Sequence, residues 1–269
     1  GVAFAARTIL LDMTLSIQSL GCTVLLGPSG TGKSTLVRTL AGLNDANSLL
    51  RTWGHVLYQG GPLSLINRPA LMTQKAHLLM DTVQDNMIAT LPQRANFSRA
   101  LQIDKVRDFL QNNGQAALAA QLATPVIDLP LHEQRIIAIL RQALRGAALL
   151  MLDEPTANLQ PDGAQAVLEV LKILAHQRAV LLVSHHLAQT RQIADHVILI
   201  ADGVVKESAT TPNFFLAPQT ASAQHYLRTG SCPELGISHK TIIEENEGEL
   251  VSDVPANIAV TMDDIGVVN

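Results

Sequence analysis

Short apolar runs alternate along the chain with stretches in which apolar residues recur every three or four positions. The runs 23–26, 56–58, 149–152, 179–183 and 197–200 have strand length, whereas 33–43 and 163–176 carry the helical period. Such alternation predicts an α/β fold: a mainly parallel sheet flanked by helices. The sequence Ala201-Asp202-Gly203-Val204-Val205 holds a turn signal after the last of these runs and predicts a hairpin, a small antiparallel part of the fold. Between Thr82 and Arg145 the pattern is almost wholly helical, with polar gaps at 111–114 and 123–125, and reads as a helical insertion into the α/β core. No internal repeat is visible.

Composition narrows the picture. With 269 residues and 47% apolar content the chain can bury one substantial core, so a single large domain is expected. No apolar run approaches the roughly 18 residues that a membrane span needs, and the opening stretch lacks the basic and apolar blocks of a leader. A cytoplasmic chain without a direct membrane span is expected. Cys22 and Cys232 stand far apart with no metal-ligand spacing, so both are expected to be reduced and structural. From Ser231 onward eight acids face one base, a balance of −7 in a chain whose total is −4. The expected division is a domain over 1–228 and an acidic, flexible tail over 229–269. Nothing is basic or aromatic enough for a nucleic-acid platform, and no nucleic-acid partner is expected.

The candidate chemistry sits first at Gly27-Pro28-Ser29-Gly30-Thr31-Gly32-Lys33-Ser34-Thr35, a complete G-x-x-x-x-G-K-[ST] phosphate-binding loop directly after the apolar run 23–26. A polyphosphate needs close backbone N–H groups, so glycines stand where a Cβ would obstruct. The helix that follows turns its positive end toward the anion. Lys33 would add a point charge on the β- and γ-phosphates, and the Ser34 hydroxyl would hold Mg²⁺. A second element is Leu149-Leu150-Met151-Leu152-Asp153-Glu154, a buried strand that ends in adjacent acids. Beside a phosphate loop, Asp153 would support the Mg²⁺ shell and Glu154 would polarise the water that attacks the γ-phosphate. A triphosphate and Mg²⁺ are therefore the expected ligands of a P-loop NTPase; ATP is the triphosphate implied by the resemblance that follows.

In motif order the chain resembles the ATP-binding subunit of an ABC transporter over about 4–208. Gln74 in Met72-Thr73-Gln74 resembles the glutamine of that family's Q-loop. Thr82-Val83-Gln84-Asp85-Asn86 is similar to the segment near the permease contact, and His185 in Val183-Ser184-His185 resembles the switch histidine. Asp153-Glu154-Pro155-Thr156 followed by Ala157-Asn158-Leu159-Gln160 resembles the D-loop. The resemblance implies catalytic roles for Glu154, His185 and Gln74, metal contacts from Ser34, Gln74 and Asp153, and adenine stacking by Phe4. It also implies a homo- or heterodimer of ATPase subunits, each ATP lying between the phosphate loop of one and the signature helix of the other. Membrane permease chains would dock near 74–86, placing the protein peripherally at the cytoplasmic face of the inner membrane.

The signature itself departs from the family pattern. Where L-S-G-G-Q is expected the chain reads Leu129-Pro130-Leu131-His132-Glu133, followed by Gln134 and Arg135, and the D-loop acid is replaced by Gln160. The serine hydroxyl and both glycines are gone, Pro130 lacks an N–H, and Leu131 and His132 add bulk. A self-paired dimer is expected to close poorly on ATP, which makes an asymmetric partner a live hypothesis. The opening Gly1-Val2-Ala3-Phe4 reads as the start of a cut or fused domain with a truncated first strand. The expected function is an ATP-hydrolysing subunit that energises transport of an unidentified solute through partner permeases, with turnover low or partner-dependent. The alternatives are an ABC-like nucleotide sensor with little turnover and a soluble ATPase module within a longer fusion protein.

Overall fold

The computed structural model describes residues 1–65, 67–74 and 78–232. In chain order its strands are β1 (Val2–Phe4), β2 (Arg7–Leu10), β3 (Gly21–Leu26), β4 (Leu50–Thr52), β5 (Leu57–Tyr58), β6 (Gly61–Pro62), β7 (Ala70–Met72), β8 (Leu149–Asp153), β9 (Ala179–Val183), β10 (His196–Ala201) and β11 (Val204–Thr210). The helices are α1 (Lys33–Leu40), α2 (Val83–Ile88), α3 (Arg99–Asn112), α4 (Ala116–Ala120), α5 (Leu131–Leu144), α6 (Pro161–Ala175), α7 (Leu187–Ile193), α8 (Thr211–Leu216) and α9 (Ala221–Thr229). A six-stranded sheet in the order β11-β10-β3-β9-β8-β7 forms the centre, parallel except for the antiparallel β10–β11 hairpin. A three-stranded antiparallel sheet, β2-β1-β4, and the small β5–β6 pair complete the β structure among the described residues. The architecture is the mainly parallel α/β fold with a small antiparallel part and a helical insertion that the pattern predicts.

The central strands are apolar at successive positions because both faces of the sheet are covered. On one face Val24, Leu150, Leu152, Val180 and Leu182 pack with Ile136, Ile139 and Leu140 of α5 and Leu168 and Leu171 of α6. On the other, Leu25, Leu149, Met151, Leu181 and Val183 pack with Leu36, Val37 and Leu40 of α1. Each fully buried side chain of this size contributes about 1.5–3 kcal/mol of hydrophobic stabilisation, so the P-loop helix is anchored through its apolar face. Its register to the sheet is thereby set.

Local chemistry explains where the elements stop. α1 ends at Leu40, three residues before the apolar pattern does, because Gly42 takes φ +79° and the Gly42 and Leu43 amides donate to the Thr39 and Arg38 carbonyls. That is a Schellman closure, which glycine makes cheaply. α6 begins at Pro161, two residues before the expected Gly163, because proline is preset for the first helical position. The strand expected over 56–58 starts at Leu57. In the 82–145 segment, Thr82 and Ser98 accept amides of the first turns of α2 and α3, and the chain breaks at Asn113-Gly114-Gln115 and again around Pro125. Of the tail expected over 229–269, Thr229 is still the last residue of α9 and Gly230 caps that helix, while residues from 233 onward lie outside the described residues.

Candidate functional site

β3 delivers the phosphate loop to the carboxyl end of the sheet, where open α/β sheets place their ligands. Gly27 adopts φ +146° and a Cβ there would run into the Ile200 carbonyl; Gly32, at φ +95°, would put a Cβ 2.5 Å from Leu10 Cδ2. Both positions therefore require glycine for different reasons, backbone approach at one end and packing at the other. Gly32 caps α1 without a side-chain hydrogen bond, which leaves the first amides of the helix for an incoming anion. The buried Lys33 folds over the loop, its Nζ donating to the carbonyls of Gly27 at 2.8 Å and Pro28 at 2.6 Å. Burial pulls the Lys33 pKa below its ordinary value, opposed by the carboxylates of Glu154 and Asp153. Thr31 bonds the Pro28 carbonyl and stiffens the turn, while Ser29 and Gly30 stay exposed.

Sheet order decides what faces this loop. β9 lies between β3 and β8, with Leu25 level with Val183 and Val183 level with Asp153. Strand neighbours lie about 4.8 Å apart, so β8 ends within side-chain reach of α1. There Ser34 Oγ donates to Asp153 Oδ1 at 2.8 Å, joining positions 119 residues apart. Asp153 is buried, and desolvation raises its pKa against the opposing Ser34 hydrogen bond and the Arg38 charge. Arg38 Nε lies 4.0 Å from Asp153 Oδ2. Sequence reasoning did not single out Arg38, although its spacing of four from Ser34 puts both on one helix face.

The next residue leaves the strand in an unusual conformation. Glu154 has φ +50°, a left-handed value that costs a non-glycine residue about 1–3 kcal/mol, and its amide donates to the Val183 carbonyl at 3.1 Å. This bend turns the carboxylate toward the loop after β9, where Glu154 Oε1 lies 2.9 Å from His185 Nδ1. His186 packs with its ring 4.1 Å from that of His185, and its pKa is lowered chiefly by burial. Of the two histidines, His185 is the one the structure records in contact with Glu154.

The other predicted residues are distributed less tightly. Gln74 leaves β7 two residues after Met72, as Glu154 leaves β8 two residues after Leu152, and Met72 pairs with Leu152. Its side chain is exposed and its carbonyl accepts from Arg135 Nη1. Phe4 is half-buried in β1 and packs against the core on the α1 face. Asn86 is fully buried and ties the loop before α2 together, donating to the Met80 and Thr82 carbonyls and accepting from the Met80 amide. The altered signature forms the start of α5: Pro130 caps the helix without a side-chain bond and Leu131 is 47% exposed. His132 rests on Gly163 of α6, where an added Cβ would come within 2.9 Å of the His132 Cβ. Gln160 caps α6 without a side-chain hydrogen bond.

Mg²⁺ takes oxygen ligands and commonly uses one or two carboxylates together with substrate phosphates. Among the described residues no cluster of three or more His, Cys, Asp or Glu forms a metal cage. The paired Ser34 hydroxyl and Asp153 carboxylate, set at the helix start that would receive phosphates, fit an ion shared with a nucleotide. Among the described residues no helix is long and apolar enough to cross a membrane.

Known proteins resemble the chain over most of its length. A family model described as ABC transporter matches residues 10–157. The chain is 28% identical over 238 residues to the "Phosphate import ATP-binding protein PstB 2" of Mycobacterium tuberculosis (strain CDC 1551 / Oshkosh), covering 84% of this chain and 85% of that protein. It is 30% identical over 227 residues to the "Putative ABC transporter ATP-binding protein YjkB" of Bacillus subtilis (strain 168), covering 83% and 88% respectively. A phosphate import ATP-binding protein PstB of Mycoplasma genitalium is 28% identical over 243 residues, covering 82% of this chain and 70% of that protein. With a phosphate loop, a strand-end acid pair and a helical insertion in the family's order, the chain belongs to the ABC transporter family, as an ATP-binding domain of it.

Proposed function

We propose that this chain is an ATP-hydrolysing subunit that energises solute import through partner membrane permease chains, acting peripherally at the cytoplasmic face of the membrane. The observation that carries the reading is the convergence of Ser34, Asp153, Glu154 and His185 beside the glycine loop at one sheet edge. The names of the mycobacterial and mycoplasmal relatives favour import. We take 1–228 as the ATPase domain and 229–269 as a separate acidic segment.

In this reading the loop amides, Lys33 and the start of α1 hold the triphosphate, with Phe4 against the base. Mg²⁺, held by Ser34, Asp153 and Gln74, would neutralise charge on the β- and γ-phosphates. Glu154 would accept a proton from the attacking water, a role that its left-handed bend after β8 and its contact with His185 support. His185, in contact with Glu154, would orient that carboxylate and bind the γ-phosphate. The start of α5 favours an asymmetric partner: Pro130 offers no amide, Leu131 is exposed and apolar, and His132 packs on Gly163. A partner subunit with an intact signature would complete this chain's site, giving a heterodimer.

Co-purification with permease chains, followed by an ATPase assay of that complex, tests the proposal. Turnover that requires the complex is expected. Absence of turnover above background in the complex would transfer the reading to a nucleotide sensor.

A further inference from the structure

Arg135 is a buried cation that the site described above does not use. It stands in the second turn of α5 at 4% exposure, and among the described residues no carboxylate lies within ion-pair distance of it. Among the described residues its buried Nε has no hydrogen-bond partner, and its Nη1 donates to the backbone carbonyl of Gln74. An uncompensated buried charge is unfavourable, and an apolar chain of similar length would satisfy packing at least as well. The contact that distinguishes arginine from methionine here is the one to Gln74.

That contact lies where the chain changes from sheet to loop. β7 pairs with β8 up to Met72 and Leu152, so Gln74 leaves its strand level with Glu154. Beyond Met72 the strand ladder no longer fixes the backbone. A guanidinium is a rigid planar donor and holds a carbonyl in a defined direction, whereas an ammonium does so as a point charge on a flexible stem. We infer that Arg135 is a positioning residue: by holding the Gln74 peptide from below, it sets where the Gln74 side chain stands relative to the Ser34–Asp153 pair. The inference rests on the proposed nucleotide site and extends it to a residue that touches neither nucleotide nor metal.

The test compares affinity for a fluorescent ATP analogue with Mg²⁺ and with chelator, and needs no turnover. For Gln74→Ala the Mg²⁺-dependent gain in affinity should fall. Arg135→Met should lower it by roughly tenfold, the lower end for loss of a supporting partner behind a metal ligand. The double variant should lose no more than Gln74→Ala alone, because Arg135 acts through that side chain. Arg135→Lys, which preserves the charge, should fall between wild type and Arg135→Met, and it carries the test where Arg135→Met does not fold. Thermal melting of the nucleotide-free variants separates folding from positioning, since a structural role would destabilise both backgrounds equally. An additive loss in the double variant, or an undiminished Mg²⁺ gain in both Arg135 variants, would overturn the inference while leaving the site intact. An undiminished gain in Gln74→Ala would instead remove Gln74 from the proposed site, and the role of Arg135 with it.

Discussion

The two ends of the chain's ATP chemistry differ in kind. At the carboxyl end of the sheet the predicted residues meet: Gly27 and Gly32 stand where a Cβ would collide, Ser34 bonds Asp153, and Glu154 touches His185. The start of α5 departs from the family's signature at each of three positions. Pro130 deletes a donor, Leu131 presents an exposed apolar side chain, and His132 fills space over Gly163. In the proposed function one surface would hold a nucleotide and the other would clamp one poorly. On the proposed reading, a subunit that keeps the first and loses the second would take its complement from another chain.

The largest expected effect tests the intact side. Glu154→Gln keeps shape and hydrogen bonding but removes the base, so hydrolysis in the permease complex should fall by about 10²–10⁴ while nucleotide affinity is retained. A full rate in that variant would take the proton-accepting role from Glu154. Next in size, Lys33→Ala removes a charge-assisted contact worth about 1.5–3 kcal/mol, equivalent to roughly ten- to a hundredfold in affinity for a fluorescent ATP analogue. Unchanged binding would break the phosphate-loop side of the contrast.

The degraded side is tested by restoring it. The isolated Glu154→Gln protein should stay monomeric with Mg²⁺-ATP, and adding Pro130→Ser, Leu131→Gly and His132→Gly should shift it toward a dimer in light scattering across a concentration series. A tight ATP-dependent homodimer before restoration would show that the present segment already grips nucleotide. The smallest effect concerns packing between α5 and α6. Gly163→Ala should destabilise by about 1 kcal/mol through crowding against His132. On a His132→Gly background the same change should become neutral or slightly stabilising, as alanine is the better helix former. Chemical denaturation of the four proteins of that cycle measures the difference, and equal effects in both backgrounds would show that His132 is not the obstacle.

The sequence by itself determined the pieces that depend on neighbours along the chain. The phosphate loop, the acid pair after β8 and the Asp202-Gly203 turn between β10 and β11 are local, because glycine conformations, strand patterning and turn chemistry operate over a few residues. The altered signature was legible for the same reason, as was its likeness to a known family. Element ends were less so: the Schellman closure stops α1 at Leu40 although Leu43 continues the apolar period.

Only the tertiary structure decided how the pieces meet. That β9 separates β3 from β8 follows from strand order, which periodicity does not encode, and this order brings Ser34 to Asp153 across 119 residues. The left-handed bend at Glu154, its contact with His185, and the hold of Arg135 on Gln74 likewise arise from packing among distant segments. Spacing in sequence names the groups; the sheet's order and register, set by burial on both faces, fix the distances at which they can act.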